Sequence, residues 1–199
     1  MRVPSTAHTG RPWRIHDLTR DFRVQDVWSF RTPGAGPDDF PLMLAALRAI
    51  DGPAGQSLPV RLLFWARWKL GDLLGWDRPA TGIGTRTASL RDRLPGDLRS
   101  APVEPLGSDG FTSVYLLGDE AARESANKTV HSIMHLGWVP AGDGEYELRM
   151  AVVVKPNGLL GRLYMAAITP FARLIVYPAL TRRWEAAWRD RAHLLTLQP

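Results

Sequence analysis

Glu124, Asn127, His131 and His135 are the residues whose types and spacing come nearest to chemistry in this chain. On a helix, two histidines four apart with a glutamate upstream would offer two ligands to a metal ion. The surrounding pattern is that of a strand, where positions i and i+4 share a face but stand about 13 Å apart at ~3.3 Å per residue. Joint ligation would need a bulge, and no metal site is expected. The same residues become acid, base or hydrogen-bonding groups if they line a pocket. The simpler expectation is a hydrated strand face with ordinary cross-strand pairs. Asp26 is a second anomaly, a carboxylate on the aromatic inner side of a strand. It either bonds to neighbouring backbone or forms the polar wall of a cavity. No serine lies in a Gly-x-Ser-x-Gly elbow. Gly82-Ile83-Gly84-Thr85 lacks the third glycine and the strand-to-helix setting of a dinucleotide fingerprint. There is no cysteine, which excludes disulfides, thiolate metal sites and cysteine nucleophiles. No cofactor is expected.

The elements that must position these groups follow from periodicity. Phe22, Val24, Asp26, Trp28 and Phe30 alternate with more polar neighbours and predict a first strand. After the turn Pro33–Pro37, Phe40, Met43, Leu44, Leu47 and Ile50 fall on one helical face. A second helix is predicted from about Pro59 to Leu74, apolar on most sides except at Arg67. Residues 75–110 are rich in Gly, Pro, Arg and Asp and yield only one short strand, near Thr85–Leu90. Four strands follow in succession: Phe111–Leu117, Ala121–Ala126, Thr129–Val139 and Glu145–Lys155. In the last, Tyr146, Leu148, Met150, Val152 and Val154 face one way and Glu145, Glu147 and Arg149 the other, giving one dry face and one wet face. From Gly158 to about Leu195 a long helical tract is predicted, kinked at Pro170 and Pro178. Its end is amphipathic, with Leu180, Trp184, Ala187, Trp188 and Leu195 opposite Arg182, Arg183, Glu185, Arg189 and Asp190. Packing of Trp184 and Trp188 on the sheet is expected ahead of a membrane anchor.

At 199 residues and 22.2 kDa the chain suits a single domain, with a hydrophobic fraction of 45% that excludes general disorder. Residues 1–20 are expected to form a flexible N-terminal arm and residues 21–195 one domain. The formal charge is +5, and 22 of the 25 basic residues are arginine. These cations are scattered rather than clustered, so no nucleic-acid partner is expected. The N-terminal residues lack the apolar core of a secretory signal, and the pieces of the region 163–180 between its charge and prolines are short for a bilayer span. The expectation is a cytoplasmic protein, with contact to a membrane surface left open.

The string Glu124-Ser-Ala-Asn127-Lys128-Thr129-Val130-His131, then Trp138, Val154-Lys155-Pro156-Asn157-Gly158-Leu159-Leu160-Gly161-Arg162-Leu163-Tyr164-Met165, Pro170-Phe171 and Val176-Tyr177-Pro178, resembles the bacterial domain-of-unknown-function family twenty-eight sixty-seven. One small departure is Ala172, which stands between the Pro-Phe pair and Arg173. The resemblance implies a domain with no assigned biochemical activity, found alone or fused behind an NAD-binding, epimerase-like domain. It also implies an α+β helix-grip (START-like) fold, like that of lipid-transfer domains and polyketide cyclases. In that fold a curved antiparallel sheet wraps around a long C-terminal helix, with two short helices after the first strand.

These expectations converge on a cavity between sheet and helix lined by Trp28, Tyr115, Trp138, Tyr146, Met150 and Met165, with Asp26 at its wall. Bulky aromatics and pliable methionines suit an apolar or amphipathic, lipid- or polyketide-like small molecule. A non-catalytic binding or carrier domain is the first expectation. The alternatives are a cyclase- or hydrolase-type enzyme using Asp26 or His131, and an accessory module docking on an NAD-dependent epimerase- or reductase-like redox enzyme.

Overall fold

The computed structural model describes residues 1–50, 83–84, 87–99 and 110–196. The predicted helix near 59–74 lies outside these residues. The protein is α+β, with a curved, unclosed antiparallel sheet of six strands and a long C-terminal helix. The strands are β1 (Arg2–Val3), β2 (Arg23–Phe30), β3 (Thr112–Leu116), β4 (Glu120–Ala126), β5 (Val130–Gly142) and β6 (Glu145–Pro156), in the order β1-β2-β6-β5-β4-β3. The last four form the expected meander, and β2 closes against β6 with Trp28 opposite Met150 and Phe30 opposite Leu148. Local chemistry sets the hairpins. The Asn127 carboxamide oxygen accepts from the Thr129 and Val130 amides at 2.9 and 3.1 Å, folding the β4–β5 turn. Gly142 and Gly144 supply the positive φ angles, 116° and 77°, that the β5–β6 turn needs.

Alternation along the strands produces two faces, and the structure covers both. The first carries Trp28, Phe30, Leu136, Trp138, Leu148 and Met150, all buried. Over it lie α3 (Phe40–Ala49), through Phe40, Met43 and Leu44, and the end of the C-terminal tract, through Trp188. Each large apolar side chain fully buried here contributes about 1.5–3 kcal/mol.

The second face, expected to be wet, is covered by the N-terminal residues and the segment 90–98. The first twenty residues, expected as a loose arm, pair as β1 with β2 and form two short helices, α1 (Thr6–Thr9) and α2 (Ile15–Leu18). Trp13, Ile15 and Leu18 pack with Leu90, Leu94 and Leu98 on Val27, Ile133, Ala151 and Val153. Gly137 leaves room for this cover, because a Cβ there would stand 2.7 Å from the Trp13 ring. The strand predicted near Thr85–Leu90 is not formed at its C-terminal end, where Leu90–Arg93 makes a 3₁₀ turn capped by the Ser89 hydroxyl. A single parallel bridge joins Ile83 to Thr87. A further short helix, α4, spans Gly96–Arg99.

The C-terminal tract is helical from Gly158 to Arg189: α5 (Gly158–Phe171), a π-helical turn (Ala172–Val176) and α6 (Tyr177–Arg189). The short helix α7 (Arg191–Thr196) follows. Where kinks were expected at Pro170 and Pro178, the wider π turn stands between them. It accommodates the ring of Pro178, which would otherwise press on the carbonyl four residues back. The sequence puts Glu185 on the wet side of the tract; in the structure it is buried, and its carboxylate accepts from the Arg31 amide at 3.1 Å.

Candidate functional site

The expected ligand-binding residues divide between the two faces. Trp28, Trp138 and Met150 share the cluster under α3 and α6, while Met165 packs with Val130 and Val154 further along the same face. The half-buried Val152 touches both groups and joins them on β6, with Asp26 opposite it on β2. Tyr146 stacks on Trp138 with ring centroids 6.3 Å apart and stands at the wall of an open cleft of about 330 Å³. Arg31, Glu145, Glu147, Glu185 and Arg189 supply the cleft's charges. Tyr115 is on the opposite face: β3 has a register shift between Ser113 and Tyr115, and the tyrosine hydroxyl donates to Glu120 at 2.8 Å.

Asp26 is buried between two guanidinium groups. Arg2 Nε donates to Oδ1 at 3.0 Å, and Arg173 Nε reaches Oδ1 and Oδ2 at 2.9 and 3.0 Å. Arg173 comes from the π turn, and its Nη2 also reaches the Gln25 carbonyl at the irregularity in β2. Thus one carboxylate ties the first strand and the middle of the C-terminal tract to the sheet. The adjacent Tyr177 hydroxyl is pushed up in pKa by burial and by the Asp26 charge.

Under the N-terminal cover lie two Glu–His pairs related by a four-residue step. Glu120 faces Gly137 across β4 and β5, and Glu124 faces Ile133. Each glutamate reaches the histidine two residues earlier on β5: Glu120 to His135 Nε2 at 2.7 Å, Glu124 to His131 Nε2 at 2.8 Å. Each carboxylate also takes donors from the covering segments. Glu120 accepts from the Arg14 amide at 2.9 Å as well as from Tyr115. Glu124 accepts from the Ser89 hydroxyl and the Leu90 amide. Burial raises both carboxyl pKa values, but the histidine and the other donors outweigh it and hold both below the usual range. For His135, burial dominates and lowers the pKa despite Glu120.

A neutral His135 must therefore carry its proton on Nε2 to face the carboxylate, leaving Nδ1 as an acceptor. His8 Nε2 stands 3.2 Å from that Nδ1 and donates to it. His8 is itself pushed down to about 3, mainly by burial. The chain His8–His135–Glu120 is a fixed hydrogen-bond relay inside the core. His131 and His135 share a face and a strand as expected, but each is committed to its own glutamate.

A family model described as a protein of unknown function, DUF2867, matches residues 18–179. The chain belongs to this family. No curated protein and no solved structure matches it. The DUF2867 match contains the Glu124–His131 pair and the Asp26–Arg173 tie whole, whereas His8, Arg14 and Arg2 precede it and Trp188 follows it. Sequence reasoning missed Glu120, His8 and Arg173 as partners of the groups it singled out. The available signal was the repeated spacing, with Glu120 and Glu124 four apart as His131 and His135 are.

Proposed function

We propose that this DUF2867 protein is a non-catalytic binding or carrier protein, of helix-grip type, for an apolar or amphipathic small molecule of lipid or polyketide character. The observation that carries this reading is the apolar surface from Trp138 through Met150 and Val152 to Met165, bordered opposite Val152 by the Asp26–Arg173 pair and lying beneath a largely apolar helix. The cleft beside Tyr146 supplies a charged mouth at one end, suited to the polar end of an amphipathic ligand. The titratable groups favour binding over turnover. Asp26 is taken up by Arg2 and Arg173, and His131 is buried on the opposite face of the sheet from this surface, so neither is placed to exchange a proton with a molecule bound there.

Native mass spectrometry of the purified protein tests this. A discrete excess mass lost on denaturation is the expected result. A clean apo mass that no lipid or polyketide in a test panel shifts would overturn it.

A further inference from the structure

The tract Gly158–Val176 is held to the sheet on one side and exposes large apolar side chains on the other. Its inner side is tied to the sheet at every turn. Gly161 approaches so closely that a Cβ would meet the Thr129 carbonyl at 2.1 Å. Met165 is buried, Thr169 accepts from Gln25 at 3.1 Å, and Arg173 holds Asp26. The outer side carries Leu159, Leu160, Leu163, Phe171 and Leu174, with relative exposures of 71%, 43%, 62%, 53% and 78%. At about 100° per residue, these five positions fall on the side of the helix away from Gly161 and Met165. On a solvated helix that side is polar. Here it is an apolar strip of five large side chains, the kind of exposed surface that marks interaction sites.

Charge selects the partner. Between Pro156 and Trp184 the chain holds Arg162, Arg173, Arg182 and Arg183 and no aspartate or glutamate. Arg173 is spent on Asp26, whereas Arg162 and Arg182 are exposed along the tract. An apolar strip on a tract whose charges are cations alone is complementary to an anionic lipid surface, where leucine and phenylalanine enter the acyl boundary and arginine meets phosphate. The 32-residue tract is by length and composition able to cross a membrane. Its inner ties, from Gly161 and Arg173 at the sheet to Trp188 at the Pro33 carbonyl, instead hold it along the domain, with the outer side exposed among the described residues.

We propose that the outer side of Gly158–Val176 docks the protein on the surface of an anionic bilayer. This surface is separate from the apolar sheet face, so it stands whether or not a ligand is carried there.

The test is co-sedimentation of the full chain with vesicles of phosphatidylcholine alone or mixed with phosphatidylglycerol. The expected result is binding to the anionic vesicles that weakens with added salt and falls about tenfold or more in Leu163→Glu/Leu174→Glu, with the melting temperature unchanged. No binding to anionic vesicles, or equal binding by a folded double variant, would overturn the proposal. Light scattering gives a further arm: a dimer that the same variant dissolves, with no vesicle binding, would assign the strip to a second copy of the chain and overturn it likewise.

Discussion

On the arm-covered face of the sheet, two glutamates and three histidines are buried, and each carboxylate oxygen meets at least one donor. On the outer side of the C-terminal tract, large apolar side chains stand in solvent. Both regions invert the usual placement of polar and apolar groups, but they differ in how far the molecule itself accounts for them. The Glu–His pairs are explained from within: they fasten Arg14, Ser89 and Leu90 to the sheet, and burial makes their loss expensive. Among the described residues nothing accounts for the exposed strip, because the sheet takes the opposite side of the helix. Buried carboxylates met by donors from the molecule itself therefore point to architecture, and an uncovered apolar face to a partner.

The largest expected effect is on the network. Glu120→Ala strands His135, the Tyr115 hydroxyl and the Arg14 amide, and the expected loss is about 3–5 kcal/mol, or roughly 10 °C in Tm. A loss below about 1 kcal/mol in denaturant unfolding would break the contrast, since an accessible network would not depend on its carboxylate.

Acid should act on the same region. Folded His8 stays neutral down to about pH 3, whereas in the unfolded chain it takes a proton near 6.5. Between those values the unfolded state binds more protons, so stability falls as pH falls, by up to about 1.4 kcal/mol per pH unit from His8, and the lowered His135 adds to the slope in the same sense. The lowered carboxyl of Glu120 acts in the same sense at the acid end, losing its contribution as pH drops through its folded pKa. Denaturant titrations from pH 7 to 4 should show this slope, and His8→Gln should reduce it to the share left by His135.

Gly161→Ala places a methyl against the Thr129 carbonyl and should cost about 2 kcal/mol by lifting the start of α5. A neutral outcome would mean that the helix is not seated where the inner ties put it. Smallest of all is Leu163→Glu, expected within about 0.5 kcal/mol of the parent because the side chain touches solvent. A loss well above that would show the strip to be covered.

Much of the architecture is legible in the sequence because it rests on strict periodicity. The predicted strand Glu145–Lys155 is observed as Glu145–Pro156, and the predicted helix face at Phe40, Met43 and Leu44 is buried. The amphipathic end of the tract is legible too, with Trp184 against Phe30 and Trp188 donating to the Pro33 carbonyl. The N-terminal cover is illegible for an equally physical reason. Its helices are four residues long, too short to show a period, and they dock through Trp13, Ile15 and Leu18 one residue at a time. Covering the second face turned groups expected in water into buried pairs. The role of Asp26 needed the fold as well, since Arg173 lies 147 residues away.

The chain has no cysteine, so single thiols can be placed at will. Spin labels at Leu163→Cys, on the outer strip, and at Arg20→Cys, on the arm side, compare the two regions by power-saturation EPR with phosphatidylglycerol-containing vesicles. The prediction is that the label at 163 gains oxygen accessibility characteristic of the acyl boundary, while the label at 20 stays aqueous. Both labels remaining aqueous, or both becoming immersed, would contradict the assignment of the partner surface to the C-terminal tract.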